Sequence, residues 1–284
     1  MNKRKYNLDL MQIEELVNLS LNEEEKTIKA LRQEKSNITR AINLAIKTVQ
    51  QNGRIIYMGA GTSGRLGMLD AAECRPTFGT DLFCGIIAGG KNVMFKAKEG
   101  AEDNQKQAVK DLNKIKISTN DVLVGISASG TTPYVISGIR FAKKKKIKTI
   151  GITTQKNSEL AKLVNFSIVP GIENEIILGS SRLKSGTAQK IILNMISSIS
   201  MIKTGKVYRN LMIDVQATNK KLINRAIGII SMVCNISLNN AKLLFKKSKG
   251  SIKAAIVMQN MNCSLYEANN RLKAANYDLR KIIG

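Results

Sequence analysis

The order of apolar and polar residues along the chain divides it into three parts. From Leu8 to about Gln51, charged side chains alternate with Leu and Ile at helical spacing, and no proline interrupts them. The turn sequence "NGR", Asn52 to Arg54, ends this stretch. We therefore predict N-terminal helices over residues 1–52.

Short apolar segments rich in β-branched residues follow this turn and alternate with helix-like polar segments. Five of them are predicted strands: Arg54–Gly59, Leu82–Gly89, Asp121–Ser127, Lys148–Thr154 and Phe166–Ile172. The alternation is typical of βαβ units around a parallel sheet. The sequence therefore predicts an α/β fold with its sheet-forming domain over residues 53–220.

The last part of the chain carries only helical patterns. We detect no strand signal after Gly205, and the segment Leu222–Asn235 predicts a linking helix. Two short helices should follow, with Ser237 and Ser264 as their N-caps. Residues 221–284 are therefore predicted to form a small C-terminal helical domain.

Composition narrows the classes of protein to consider. No apolar run approaches the ~20 residues of a membrane span, and the N-terminus lacks the apolar core of a signal peptide. We expect a cytoplasmic protein with no membrane partner.

The formal net charge of +24 raises nucleic acid as a partner, but basic residues are spread along the chain and aromatic residues make up only 4%. We predict no nucleic-acid binding and a weak attraction for anionic substrates.

Histidine is absent from the sequence, and the four cysteines show no paired spacing. Catalytic triads that use histidine, histidine-ligated metals and zinc ribbons are therefore excluded. Proton transfer near neutral pH has to use Glu, Asp, Lys, Tyr or Cys. We predict no metal site.

Two loops rich in glycine and hydroxyl residues each follow a predicted strand and precede a helix. They are "GAGTSG", Gly59 to Gly64, and "SASGTT", Ser127 to Thr132. Backbone N–H groups at such a helix start favour an anion. One such loop is as often a simple turn, and neither has the P-loop lysine or the dinucleotide-binding glycine spacing. Two such loops in one parallel sheet indicate that the ligand is a small molecule that carries phosphate.

Further candidates lie outside these loops. The segment "GSSRLKSGTAQK", from Gly179, places Ser180, Ser181, Arg182 and Lys184 at the start of a helix. One interpretation is a capped surface helix with solvated basic residues. Because positive charge there opposes the helix dipole, the other is that a bound anion or a carboxylate of the protein lies nearby. Two carboxylates could transfer protons. Burial would suit Glu73 to acid–base work, whereas Glu102 on local sequence alone resembles an ordinary residue in a helix's first turn.

Four motifs together resemble one family. "GAGTSGRLGMLDAAEC", "EGAEDN", "GISASGTTPYV" and "GSSRLKSGTAQK" occur in the order found in the N-acetylmuramic acid 6-phosphate etherases, and the similarity extends over nearly the whole chain. The resemblance implies a sugar isomerase (SIS) fold, a parallel-sheet sandwich with helices on both faces. It also implies a homodimer. The family is related to the glucokinase regulatory protein, which binds sugar phosphates without catalysis.

The resemblance implies cleavage of a D-lactyl ether, without metal or cofactor. It assigns Glu73 as proton donor and Glu102 as the second catalytic glutamate, which overrides the local interpretation of Glu102. The substrate residues that we predict are Thr62 and Ser63 near the sugar, Ser127, Ser129, Gly130 and Thr132 at the phosphate, and Ser180, Ser181 and Lys184. A phosphosugar isomerase and a non-catalytic regulator remain alternatives.

One distance along the chain raises a question about Glu73. At ~1.5 Å per residue, a helix that begins near Thr62 carries Glu73 roughly 15 Å from the loop. Either Gly64 and Gly67 break the helix, or Glu73 serves the site of a neighbouring subunit. The sequence favours the second explanation weakly.

Overall fold

The computed structural model describes residues 6–96, 98–172, 174–217 and 219–284. The chain divides into two compact units. The first contains Met1–Ala71 and Leu82–Ser197, and the second contains Ala72–Asp81 and Ser198–Gly284. The boundaries that the sequence places after residues 52 and 220 stay predictions.

The first unit is built on a five-stranded parallel sheet. Its strands are β1 (Ile55–Gly59), β2 (Phe83–Ile87), β3 (Val122–Ile126), β4 (Lys148–Ile152) and β5 (Phe166–Ile168). They lie side by side in the order β2-β1-β3-β4-β5. Every residue of β1 and β3 is buried, as a sheet covered on both faces requires. The predicted α/β class and its five strands are confirmed, with shorter bounds.

Seven helices lie between the described N-terminus and residue 203. They are α1 (Ile13–Gln33), α2 (Lys35–Gln50), α3 (Gly61–Phe78), α4 (Gln105–Lys114), α5 (Pro133–Lys144), α6 (Glu159–Leu163) and α7 (Lys184–Lys203). Short 3₁₀ helices occur at Leu8–Leu10, Lys91–Met94 and Ala101–Asp103. The N-terminal helical stretch is divided at Glu34, whose carboxylate accepts a hydrogen bond from the Val169 N–H at 3.0 Å.

Neighbouring residues of β1 show that helices cover both faces of the sheet. Tyr57 faces α3, where a Cβ added to Gly67 would lie 2.9 Å from the Tyr57 Cβ. Met58 faces α5, where Gly138 leaves room for its sulfur. Because successive residues of a strand point to opposite faces, α3 and α5 lie on opposite sides. The predicted sandwich is confirmed.

A partly buried ion pair holds the starts of β1 and β3 together. The Asp121 carboxylate accepts hydrogen bonds from the Arg54 backbone N–H and from the Arg54 guanidinium, at 2.8 Å each. The Ser118 N–H adds a third at 2.9 Å. Burial raises the pKa of Asp121, but these hydrogen bonds outweigh burial and hold its pKa below the usual value.

The described residues of the second unit form a hairpin and five further helices. Strands β6 (Val207–Tyr208) and β7 (Leu211–Met212) pair antiparallel, so the expectation of no strand after Gly205 is wrong. The helices are α8 (Lys220–Cys234), α9 (Leu238–Lys247), α10 (Ile252–Asn260), α11 (Leu265–Ala274) and α12 (Arg280–Ile283). Ser237 and Ser264 accept hydrogen bonds from backbone N–H groups of α9 and α11, which confirms both caps.

The second unit contains a charged cluster in which Lys253 is the buried member. Lys253 is almost fully buried and donates to the Asp214 carboxylate at 2.7 Å, and Lys206 contacts the same oxygen at 3.0 Å. Burial lowers the pKa of Lys253, and Asp214 opposes that effect.

Across the described residues, no individual helix is long and apolar enough to cross a membrane. Helices α8 and α9 reach that length and apolar character only when they are counted together, and a bend of 108° separates them.

Candidate functional site

A cavity of about 780 Å³ opens at the carboxyl ends of the central strands. Its lining includes residues that follow β1, β3 and β4, namely Ala60, Gly61, Thr62, Ser63, Ala128, Ser129, Thr132, Thr154 and Gln155. In parallel sheets, loops from neighbouring strands meet at this edge and bind ligands there. The cavity thus brings together the two glycine-rich loops that the sequence analysis identified.

The loop from Ser127 to Thr132 is held by its own hydroxyl groups. Ser127 is 2% exposed; its Oγ lies 2.8 Å from Thr132 Oγ1 and accepts the Gly130 N–H at 3.0 Å. Ser129 and Thr132 line the cavity, whereas Ser127 and Gly130 are not part of its lining. Ser127 therefore supports the loop from behind.

Gly130 adopts a backbone conformation that side chains rarely tolerate. Its φ is +68°, and an added Cβ would lie 2.7 Å from Thr153 Oγ1. Its carbonyl accepts the Leu160 N–H of α6 at 2.9 Å. Only glycine fits at this turn. The contacts with Thr153 and Leu160 therefore fix the conformation of the loop.

A protein carboxylate occupies the start of α7. The two oxygens of Glu175 accept the N–H groups of Lys184 and Ser185, both at 2.9 Å. Of the two possibilities left open by the sequence, the structure therefore contains the carboxylate. Glu175 is 9% exposed and lines the cavity.

The predicted residues around α7 fall in different places. Ser181 lines the cavity, but Ser180 and Lys184 do not. The Lys184 ammonium instead lies 2.5 Å from the carboxylate of Glu23 in α1, and both side chains are buried. Burial raises the pKa of Glu23, yet hydrogen bonds from Lys184 and Lys26 hold that pKa below its usual value. In this structure the Lys184 charge is thus neutralised within the protein.

The two predicted catalytic glutamates also differ in position. Glu102 lies in the 3₁₀ helix Ala101–Asp103, and its exposed side chain lines the cavity together with Thr62 and Ser63. Glu73 lies on α3, which continues unbroken past Gly64 and Gly67. Its side chain is exposed, so the burial considered for it is not found within one chain.

The cavity contains residues that the sequence analysis did not single out. These are Thr154, Gln155, Asn174, Glu175 and Ser185, among others. Thr154 and Gln155 follow the fourth strand, so the rule that ligands bind beyond parallel strands could have found them. Glu175 precedes α7 by several residues and carries no local signal.

A second, smaller cavity of about 250 Å³ adjoins the first. Both are lined by Ala60, Gly61 and Glu102. The remaining lining of the smaller cavity is Arg65, Ala88, Val93, Lys98, Glu99, Gly100 and Ala101. Glu102 therefore lies at the junction of the two spaces.

Comparison with protein families agrees with this architecture. Residues 37–143 match the glucokinase regulatory protein N-terminal SIS domain, and residues 104–198 match the SIS domain. Among solved structures, the c3406 protein of Escherichia coli CFT073 is similar with a TM-score of 0.52 and 20% identity. The similarity covers 70% of this chain and 97% of that one. A phosphoheptose isomerase from Neisseria gonorrhoeae gives a TM-score of 0.50 at 17% identity, over 66% and 98% of the two chains. At these identities the likeness shows the fold alone.

Curated relatives are far more similar in sequence. An N-acetylmuramic acid 6-phosphate etherase from Bacillus cereus is 46% identical over 99% of this chain and 97% of its own length. The etherase from a Geobacillus species is 47% identical over 99% and 96%. With this identity along nearly its whole length, the chain belongs to the N-acetylmuramic acid 6-phosphate etherase family.

Proposed function

We propose that this chain is a carbon–oxygen lyase that cleaves the D-lactyl ether of N-acetylmuramic acid 6-phosphate. The products are N-acetylglucosamine 6-phosphate and D-lactate. One observation carries the proposal: a single cavity is lined by the hydroxyl-rich loop of Ser129 and Thr132 and by the carboxylate of Glu102. The first supplies hydrogen-bond donors for a phosphate, and the second supplies a base.

The chemistry needs two proton transfers. Opening of the sugar ring places an aldehyde beside C2, which makes the C2 proton acidic enough for a carboxylate to remove. We assign that step to Glu102. The lactyl oxygen on C3 then leaves as it is protonated, and water adds to the resulting double bond. The proton for the leaving oxygen is assigned to Glu73.

We further propose that Glu73 acts across a homodimer. Its exposure and its place three turns along the unbroken α3, roughly 16 Å from Thr62 at ~1.5 Å per residue, support this assignment. A two-fold dimer would permit each subunit to lend one glutamate to its partner's site. On α1, the exposed apolar residues Ile13, Val17 and Leu21 recur at helical spacing and are suited to a subunit contact. We place the enzyme in the cytoplasm, in keeping with a sequence whose four cysteines show no paired spacing.

Family membership favours the etherase over both alternatives. An isomerase needs no acid for a leaving ether, and a regulator needs neither glutamate, yet Glu73 and Glu102 are both present. The direct test is to incubate the purified protein with N-acetylmuramic acid 6-phosphate and to measure D-lactate. We expect stoichiometric release of lactate and N-acetylglucosamine 6-phosphate. An aldose–ketose conversion without lactate would favour the isomerase, and binding without turnover would favour the regulator.

A further inference from the structure

The smaller cavity beside Glu102 contains two cations that the proposed reaction has not used. Arg65 is half-buried on α3, and Lys98 is exposed on the segment before Glu102. Arg65 donates from Nη2 to the Val93 carbonyl at 2.7 Å and from Nε to the Met94 carbonyl at 3.3 Å. Among the described residues, these two bonds come from Nη2 and Nε, and Nη1 takes part in neither.

The substrate's own connectivity points to what would occupy this space. If Glu102 removes the C2 proton, C3 lies one carbon–carbon bond further on, and the ether oxygen on C3 is close to Glu102. The phosphate loop lies on the larger cavity, so the sugar fills that space and the C3 substituent points toward the other. Since Glu102, Ala60 and Gly61 line both cavities, the substituent can pass directly from one to the other.

We propose that the smaller cavity binds the carboxylate of the lactyl group, through Arg65 and Lys98. This inference rests on the proposed etherase function. The cavity volume of about 250 Å³ is many times the ~30 Å³ share of one water and accommodates a 1-carboxyethyl group. An arginine with free N–H groups is the usual partner of a carboxylate. The two cations have to outweigh the carboxylates of Glu99 and Glu102, which line the same cavity.

This binding would give the enzyme its selectivity for the lactyl ether. Sugar phosphates without the lactyl group fill only the larger cavity and leave Arg65 and Lys98 without a carboxylate to bind. The carboxylate also holds the leaving oxygen beside Glu102, because one end of the lactyl group is fixed by Arg65 and the other by C3.

The test compares two substrates that differ in one charge. They are N-acetylmuramic acid 6-phosphate and its lactyl primary amide, which has the same size but no negative charge on the lactyl group. Release of N-acetylglucosamine 6-phosphate is measured for both at physiological salt. For the wild-type enzyme we expect kcat/KM for the acid to exceed that for the amide by about tenfold or more, the range of one charge-assisted hydrogen bond.

Two variants and a matched control identify the responsible residues. Lys98→Gln and Arg65→Met should each reduce the acid-to-amide ratio by about tenfold, whereas Lys91→Gln should leave it unchanged. Lys91 is an exposed lysine on the nearby 3₁₀ helix and does not line the cavity. Because Arg65 also anchors the carbonyls of Val93 and Met94, its variant is first checked by thermal unfolding. If the Arg65→Met variant is unfolded, the acid-to-amide ratio of the Lys98→Gln variant alone tests the proposal.

The possible results distinguish the assignment of the smaller cavity from the proposed etherase function on which it rests. No lactate from the wild-type enzyme would overturn the etherase proposal itself. Lactate release with an acid-to-amide ratio that Lys98→Gln does not change would overturn only the assignment of the smaller cavity. An equal loss of ratio in Lys91→Gln would mean long-range attraction by surface charge instead of binding, and would also overturn it.

Discussion

Hydroxyl groups in the Ser127–Thr132 loop have two separate tasks. Ser127 is buried and hydrogen-bonded within the loop, while Ser129 faces the cavity and accepts from the Thr131 hydroxyl at 3.0 Å. A buried hydroxyl that accepts a backbone N–H is costly to remove, because the N–H loses its partner. A hydroxyl that faces solvent and ligand affects binding much more than stability.

This difference gives a paired prediction. Ser129→Ala should weaken binding of the phosphorylated sugar by about 1.5–3 kcal/mol, the value of a charge-assisted hydrogen bond, and leave the affinity for the non-phosphorylated sugar nearly unchanged. Ser127→Ala should instead lower the free energy of unfolding by about 1–3 kcal/mol. Calorimetric titration and chemical denaturation measure the two effects. An equal loss of affinity for both sugars in Ser129→Ala would make the loop structural.

The two glutamates should also separate by experiment. Glu102→Gln should stop exchange of the C2 proton with deuterated solvent, because the base is lost. Glu73→Gln should permit that exchange and block release of lactate. Proton magnetic resonance follows the C2 signal, and a lactate assay follows the second step. The reverse pattern would exchange the roles of acid and base.

At the scale of elements, the pairing of β1 with β3 depends on a charged contact at their starts. The Asp121 carboxylate is 3% exposed as a side chain and is held by Arg54 and Ser118. Its pKa is below the usual 3.8, so the folded state binds this proton less tightly than the unfolded state. The stability that it contributes is therefore complete above pH 3.8 and is lost as the pH falls through the lowered pKa.

We predict the consequence for Asp121→Asn. The variant should unfold more easily at neutral pH by about 1.5–3 kcal/mol, since a hydrogen-bonded charge is lost. The difference from wild type should shrink below pH 3.8, where protonation removes the same charge. Denaturation at a series of pH values tests this. A difference that stays constant down to the lowest pH would contradict the account.

Elements with a local sequence signal were predictable, and two-residue strands and contacts between distant residues were not. The five strands follow from apolar segments between turns, and the helix caps at Ser237 and Ser264 follow from serines that precede helical patterns. The hairpin of β6 and β7 was missed because two-residue strands carry no periodic signal. At Glu34, where the N-terminal helical stretch is divided, the carboxylate accepts a hydrogen bond from Val169, far away along the chain.

The same distinction applies to the site. Loops that follow strands could be read from sequence, so Thr62, Ser63, Ser129 and Thr132 are found together at the cavity. The partner of Lys184 could not, because Glu23 lies on a different helix and meets it only after folding. Local sequence showed that charge near the start of α7 had to be balanced, but not which carboxylate balanced it.

For the molecule as a whole, the two glutamates belong to different compact units of the chain. Glu102 lies in the first unit, and Glu73 lies in the piece Ala72–Asp81 of the second. Our proposal that Glu73 serves a partner's site predicts a specific result when inactive variants are mixed.

Subunits of Glu73→Ala and Glu102→Ala protein should be dissociated, mixed in equal amounts and reassociated. Random pairing makes about half of the dimers mixed, and each mixed dimer has one intact site, so about a quarter of wild-type activity should return. Reassociation of each variant alone is the control. Activity that stays at the level of the separate variants would place both glutamates in one chain. Sedimentation of the purified protein as a monomer would also contradict shared sites.

In the proposed reaction, the ether is broken at C3 by elimination, and water then adds to the sugar. The most direct measurement is turnover in water enriched in ¹⁸O, followed by mass spectrometry of both products. Our account predicts one ¹⁸O atom at C3 of N-acetylglucosamine 6-phosphate and unlabelled D-lactate, because the lactyl oxygen leaves with the lactate. Incorporation of ¹⁸O into lactate, with an unlabelled sugar C3, would mean attack on the lactyl carbon and would contradict the mechanism.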